Sequence, residues 1–346
     1  MIYFIHLISV GLLFLGYISF SSASIYYALK PFQLDKPPLY GSIYTYDSQS
    51  TTFQFYTNFS FHINDNATYI YDFESGPVAI TNNSLSMIYF PIQCNNAFQR
   101  LFLIAYNIKN KTYQQSSWTL NNGIFHSFHY DPFRQRLFGL RDYNLFTLII
   151  EEYNLTTLNP IKEYTRQNSK KYAYPYGWCS IFDYEENWIV EVRTRLESTK
   201  FNAYYIKMDL NLIDKKKDIV TEFRLLPNIE NLCTMTYDIE TKIALVTWQH
   251  GSINQNIIMM YMNPYTSEFR NETLLLEIGL GYEIDSIKAV YNKKKRHVLF
   301  MIDKEAGTHT QTEQWMIIVE FHTMKIIEKK QISTIKNVDY WEFFLL

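Results

Sequence analysis

An excess of either charge is the first thing this sequence lacks: 32 Lys and Arg stand against 34 Asp and Glu, for a formal net charge of -2. A nucleic-acid partner needs a concentrated basic face, so the balance excludes that class of function. The basic runs Lys215-Lys216-Lys217 and Lys293-Lys294-Lys295-Arg296 are local and fall in expected, solvated turns. Beyond the first 24 residues no uncharged run approaches the length of a membrane span. Nor does any later stretch keep an apolar stripe at helical spacing over roughly 11 residues, which excludes a helical fold. Catalytic signatures are missing too, with no Gly-x-Ser-x-Gly elbow, His-Glu-x-x-His, zinc knuckle, phosphate-binding glycine loop or Cys-x-x-Cys. Cysteine is limited to Cys94, Cys179 and Cys233, so at least one thiol is left outside any internal pair.

The first 24 residues contain no Lys, Arg, Asp or Glu, and Leu7 to Phe20 is almost wholly apolar before Ser21-Ser22-Ala23-Ser24. Small residues at Ser21 and Ala23 fit a signal peptidase, which predicts a leader over 1–23 and a secreted mature chain over 24–346. Ser24 is the second choice for cleavage. The stretch Ile2 to Phe20 also reaches about 29 Å as a helix, so a retained type II membrane anchor is the alternative. No membrane span is expected after the leader. Six Asn-x-Ser/Thr sequons, at Asn58, Asn66, Asn82, Asn110, Asn154 and Asn271, agree with the secretory route and are the expected glycosylation sites.

Tyr and Phe are abundant, at 29 and 25 residues against 11 Gly and 10 Pro, and apolar residues come in short runs with a period of two. The chain therefore reads as strands. One hairpin recurs: an aromatic residue, then Asp or Asn, a polar turn and an apolar run. It is seen at Tyr130-Asp131, Phe182-Asp183, Tyr237-Asp238 and Tyr291-Asn292, spaced by 52, 55 and 54 positions. A second turn follows each time, at Tyr106-Asn107, Tyr153-Asn154, Met208-Asp209, Met262-Asn263 and Phe321-His322. Asn and Asp suit such turns because their side chains bond the backbone two residues on.

Extrapolating back to Asn82 gives five two-hairpin units over about 76–332. The ends, about 41–72 and 338–346, are left to make a sixth composite unit. The expected fold is an all-β, six-bladed β-propeller closed by pairing of N- and C-terminal strands, which removes both open edges. Tandem β-sandwiches are the alternative, although nothing in a sandwich imposes so regular a period. Cys179 and Cys233 precede the turn Asp of successive units by four and five residues, at nearly equivalent places on neighbouring inner strands, and are the expected disulfide. A bridge requires Cα atoms within about 7 Å, whereas inner strands diverge from the axis.

The cadence resembles that of secreted or periplasmic propellers with degenerate repeats, the nearest by blade count being gluconolactonase-like and strictosidine-synthase-like proteins. Gly-His and Trp-Asp pairs, Kelch double glycines and Asp-boxes are absent, and Tyr340-Trp341-Glu342-Phe343 matches the YWTD propellers in two residues only. The gluconolactonase resemblance implies Ca²⁺ or a similar ion held by Glu, Asn and Asp at the channel mouth. Glu283, Asp285 and Asn231 are the candidate metal donors here. Glu283 and Asp285, two apart, would share a strand face as a cation site or an acid/base pair. His126 and His129, three apart, would face opposite ways and could meet one metal only across a bulge. The expected function is a secreted glycosylated propeller acting as a non-catalytic binding module for a protein or glycan. The alternative is a metal-dependent hydrolase or lactonase with its site at the channel mouth.

Overall fold

The computed structural model describes residues 25–31, 39–47, 52–61, 69–70, 78–81, 86–94, 100–116, 120–121, 124–144, 147–167, 177–197, 200–215, 218–226, 230–250, 256–279, 281–306, 312–332 and 342–344. The expected leader lies outside them, as do Tyr340, Trp341, Leu345 and Leu346.

Strands β1 (Ile25–Pro31), β2 (Leu39–Asp47) and β3 (Thr52–Phe61) begin the chain. A second group follows: β4 (Tyr69–Ile70), β5 (Val78–Thr81), β6 (Ser86–Cys94), β7 (Arg100–Asn107), β8 (Thr112–Gln115) and β9 (Leu120–Asn121). The third sheet is β10 (Ile124–Asp131), β11 (Arg136–Asn144), β12 (Thr147–Tyr153) and β13 (Pro160–Gln167). The fourth is β14 (Gly177–Asp183), β15 (Trp188–Glu197), β16 (Lys200–Asp209) and β17 (Val220–Leu226), with a 3-10 turn at Leu210–Lys215. The fifth is β18 (Glu230–Asp238), β19 (Ile243–His250), β20 (Asn256–Asn263) and β21 (Glu268–Glu277). The sixth is β22 (Tyr282–Asn292), β23 (His297–Ala306), β24 (Thr312–Glu320) and β25 (Ile326–Ile332), followed by β26 (Glu342–Phe344).

The last strand returns to the first. Phe344, Phe343 and Glu342 pair antiparallel with Tyr27, Ala28 and Leu29, giving one sheet in the order β26-β1-β2-β3. Inner strand β10 lies beside β14, β14 beside β18, β18 beside β22 and β22 beside β26, so the sheets run around an axis as a β-propeller. The closing sheet starts earlier than the sequence suggests, at Ile25, and Tyr69–Ile70 belongs to the next sheet.

The expectation of six blades is corrected to five four-stranded blades among the described residues. Five sheets are four-stranded blades, whereas residues 69–121 form a six-stranded sheet. Both β5 and β4 pair with β6, through Ser86 to Tyr89 and through Gln93 and Cys94 respectively. Pro91 stands between those two stretches and has no N–H to give, so the inner ladder is split into two short pieces.

The core is a series of layers between sheets. Along β15, Val190 and Val192 pack against Val246 and Trp248 of the next sheet, while Ile189 packs against Phe138 and Leu140 of the one before. That alternation buries both faces and explains the short, doubly apolar runs. The ring closes in the same way, with Tyr46 packed among Val290, Leu299 and Met301, and its hydroxyl directed at Met316 Sδ.

Candidate functional site

The two ends of the inner strands differ. At one end lie the recurrent hairpin turns. Asp131 Oδ1 accepts from the backbone N–H of Phe133 and Arg134, and Asp183 Oδ1 from those of Glu185 and Glu186, all at 3.0 Å. Asp238 and Asn292 repeat the bond to Glu240 and Lys295. The residue four beyond each, namely Gln135, Asn187, Lys242 and Arg296, has φ between 51° and 61°, the left-handed step that closes the turn. The outer hairpins use the same device at Asn107 with Lys111, Asn154 with Leu158, and Asn263 with Ser267.

The free oxygen of the turn Asp is used between blades. Tyr237 Oη donates to Asp183 Oδ2 at 2.6 Å and Lys242 Nζ at 2.9 Å. Tyr291 stands in the equivalent place, where burial and Asp238 push its phenol up to about 12. Burial alone would raise the Asp183 pKa, but the Tyr237 hydroxyl, the Glu186 amide and Lys242 together lower it. Burial and Asp183 in turn push the Tyr237 phenol far up, so it stays a donor. A reverse set of ties runs further out: Tyr205 and Tyr261 donate to the carbonyls of Pro264 and Phe321 in the following blade, each at 2.5 Å. The aromatic-Asp motif is therefore a latch, and its carboxylates are committed to structure.

At the opposite, loop end, three inner strands break register. The pairing of β10 with β11 skips His126, that of β18 with β19 skips Asn231 and Leu232, and that of β22 with β23 skips Asp285. Each skip is a β-bulge or, at Asn231–Leu232, a longer irregularity, and bulges gather at barrel rims and beside active sites. The expectation that Glu283 and Asp285 share a face falls on the side chain of Asp285, which lies outside the described residues. Exposed Glu283 stands directly across from Glu305 on β23, a like-charge pair at the strand ends. The side chains of His126, Asn231 and Asp285 lie outside the described residues. Among those described, no group of three or more His, Cys, Asp or Glu could hold a metal.

His129 is described and is engaged. Its Nε2 lies 3.1 Å from Ser127 Oγ and 3.0 Å from Ser180 Oγ of the next blade, and its ring is 5.8 Å from Phe182. Burial pulls its pKa down to about 4 against the opposing pull of Glu191, which keeps the ring neutral at pH 7. Sequence spacing gave no sign of Ser180 as a partner, because the contact crosses 51 residues.

Several buried charges on the second and third strands of the blades are paired within the chain. Arg141 meets Glu151 at 2.8 Å and Arg193 meets Glu191 at 2.9 Å, all buried. Buried Asp303 accepts from Ser286 Oγ at 2.7 Å and Gln314 Nε2 at 2.9 Å. Cys179 and Cys233 form a disulfide between β14 and β18, with Cα atoms 5.7 Å apart, just below the bulge at Asn231. Of the sequon residues, Asn58, Asn110 and Asn271 are exposed and Asn154 is half-buried, its Oδ1 capping Thr156 and Thr157. Asn66 and Asn82 lie outside the described residues. No described helix is long and apolar enough to cross a membrane.

No protein-family model and no curated protein matches the chain. Solved structures do resemble it. A mutant of the apocarotenoid oxygenase of Synechocystis is 8% identical with a TM-score of 0.52, over 91% of this chain and 72% of that one. A putative 6-phosphogluconolactonase from Bacteroides uniformis is 9% identical with a TM-score of 0.50, over 92% and 99%. The periplasmic gluconolactonase of Pseudomonas aeruginosa is 8% identical with a TM-score of 0.49, over 92% and 99%. By fold, the chain is a β-propeller protein with gluconolactonase-like structural neighbours. At such identities the likeness defines the fold, and since the neighbours carry different activities, it does not select one.

Proposed function

We propose that this chain is a secreted, glycosylated propeller that binds a protein or glycan partner without transforming it, at the loop end of its inner strands. The observation that carries this reading is the set of three bulges at His126, Asn231–Leu232 and Asp285, all at that one end. Breaks of this kind in a ladder gather beside binding and active sites. The pairing of buried Arg141, Glu151, Glu191, Arg193 and Asp303 with each other or with neutral donors supports the non-catalytic part. The Cys179–Cys233 bridge supports an oxidising destination. The test is secretion from a eukaryotic cell, N-terminal sequencing, and binding of the mature chain to glycan arrays and to cell surfaces. A mature start at Ser24 or Ile25, and binding lost in His126→Ala/Asn231→Ala/Asp285→Ala at unchanged melting temperature, are expected. An intact leader on a membrane-bound chain would favour the anchored ectodomain, and undiminished binding by the triple variant would remove the loop end as the contact.

A second reading, a metal-dependent hydrolase or lactonase, is favoured by Glu283 lying opposite Glu305 beside the Asp285 bulge. Carboxylate and amide oxygens are the hard donors that Ca²⁺ takes, so Glu283, Asp285 and Asn231 would hold it, and the ion would supply Lewis-acid polarisation of a lactone carbonyl. Calorimetric titration with Ca²⁺ and a δ-lactone hydrolysis assay separate the readings: saturable uptake with turnover favours the enzyme, and neither favours the binding module.

A further inference from the structure

The outermost strands of the blades are not alike. Strand β13 carries Lys162, Glu163 and Arg166, β17 carries Glu222 and Arg224, β21 carries Glu268, Arg270, Glu272 and Glu277, and β25 carries Glu328, Lys329 and Lys330. Charges on an edge strand oppose pairing with another chain. Among the described residues strand β3, Thr52–Phe61, is the outer edge of the closing sheet; like the four-residue β8 it has no charged residue, and over its 10 positions it holds four Phe and one Tyr. Phe55 and Tyr56 are 57% and 39% exposed. A bulge cannot be the distinguishing protection, because β13, β17, β21 and β25 are bulged as well as β3.

What β3 does have is the sequon Asn58-Phe59-Ser60. Asn58 is exposed, and its Oδ1 accepts from Ser42 Oγ at 2.8 Å, which fixes the carboxamide and leaves Nδ2 as the nitrogen for a sugar. We infer that an N-glycan on Asn58 masks the β3 edge, and that without it the chain associates with a second copy of itself through antiparallel β3–β3 pairing. This rests on the secretory reading above. In glycosylation, a lipid-linked pyrophosphate oligosaccharide transfers its sugar: the C1–O bond to phosphate breaks, the C1–Nδ2 bond forms, and one amide proton leaves. The occupant is a second copy because antiparallel self-pairing sets β3 against itself, and with no charge on either side every register is free of like-charge repulsion. A two-fold pair of this kind closes, so a dimer results. The other full outer strands would bring their own charges together.

The experiment uses the full chain secreted from a glycosylating cell, with site occupancy by mass spectrometry and mass by sedimentation velocity. Wild type is expected to carry sugar at Asn58 and to be monomeric. Asn58→Gln is expected at about twice the monomer mass, Asn58→Gln/Phe55→Lys back at the monomer, and the control Asn271→Gln unchanged. If Asn58→Gln is not secreted, endoglycosidase trimming of folded wild type and of Phe55→Lys gives the same comparison. A monomeric Asn58→Gln chain, or association that Phe55→Lys does not reverse, overturns the inference. A bare Asn58 in a chain whose Asn110 and Asn271 carry sugars also overturns it but leaves the secretory reading standing. No sugar at any sequon together with an intact leader overturns the secretory reading itself.

Discussion

Tyr237 Oη donates to Asp183 Oδ2 at 2.6 Å across the boundary between two blades. The tyrosine precedes its own turn Asp by one residue and serves the turn Asp of the blade before, so the same two-residue motif is donor on one side and acceptor on the other. Repetition of the motif around the axis therefore encodes neighbour contacts. It also explains why the most regular signal in the sequence marks no catalytic group.

One blade departs from that rule and gives a prediction. The residue before Asp183 is Phe182, which has no hydroxyl for Asp131. Arg134 and Arg136 take the place, reaching Asp131 Oδ2 at 3.0 and 3.1 Å. Arg136 also reaches Asn187 of the next blade at 2.8 Å, so it bridges the same boundary. Arg136→Met is expected to cost about 2 kcal/mol, and adding Phe182→Tyr to recover about 1 kcal/mol, in urea denaturation. Phe182→Tyr in wild type, where the arginines already fill the place, is expected to gain nothing.

Acid acts in two stages. The His129 pKa lies at about 4 in the folded chain against 6.5 when unfolded, so the unfolded state takes up protons first and stability falls between those pH values. Asp131 and Asp183 sit below 3.8, and the stability they contribute above that value is lost as pH drops further, through their folded pKa values. Melting temperature is expected to decline from about pH 6.5, with His129→Asn removing the upper stage and leaving the lower one. Ser127, Ser180, Phe182 and Glu191 are the groups facing the ring, and Glu191 is the charged one among them.

The disulfide links strands separated by 54 residues. Cys179→Ser/Cys233→Ser is expected to lose about 2 to 4 kcal/mol in guanidinium denaturation, because an uncrosslinked unfolded chain is less restricted. The single variants are expected to do worse in secretion yield, since each leaves a new free thiol.

The turns were legible because their chemistry is local: an Asx side chain and a left-handed residue four further on suffice, and both are visible at Asp131, Asp183, Asp238 and Asn292. Closure was legible in outline from a leftover strand at Tyr340 to Leu346, although Ile25–Pro31 lay hidden beside the leader. The bulges were not legible, because a skipped residue depends on pairing with a strand roughly 20 residues away and on crowding around the axis. The split inner ladder of the six-stranded sheet is foreshadowed by Pro91, yet only the pairing shows which edge its missing N–H interrupts.

The latch is tested most directly by a double-mutant cycle on Tyr237→Phe and Asp183→Asn, read by denaturant unfolding. A coupling of about 1 to 2 kcal/mol is predicted, since each single change already breaks the shared bond and the second then adds little. Additive losses, with coupling near zero, would contradict it.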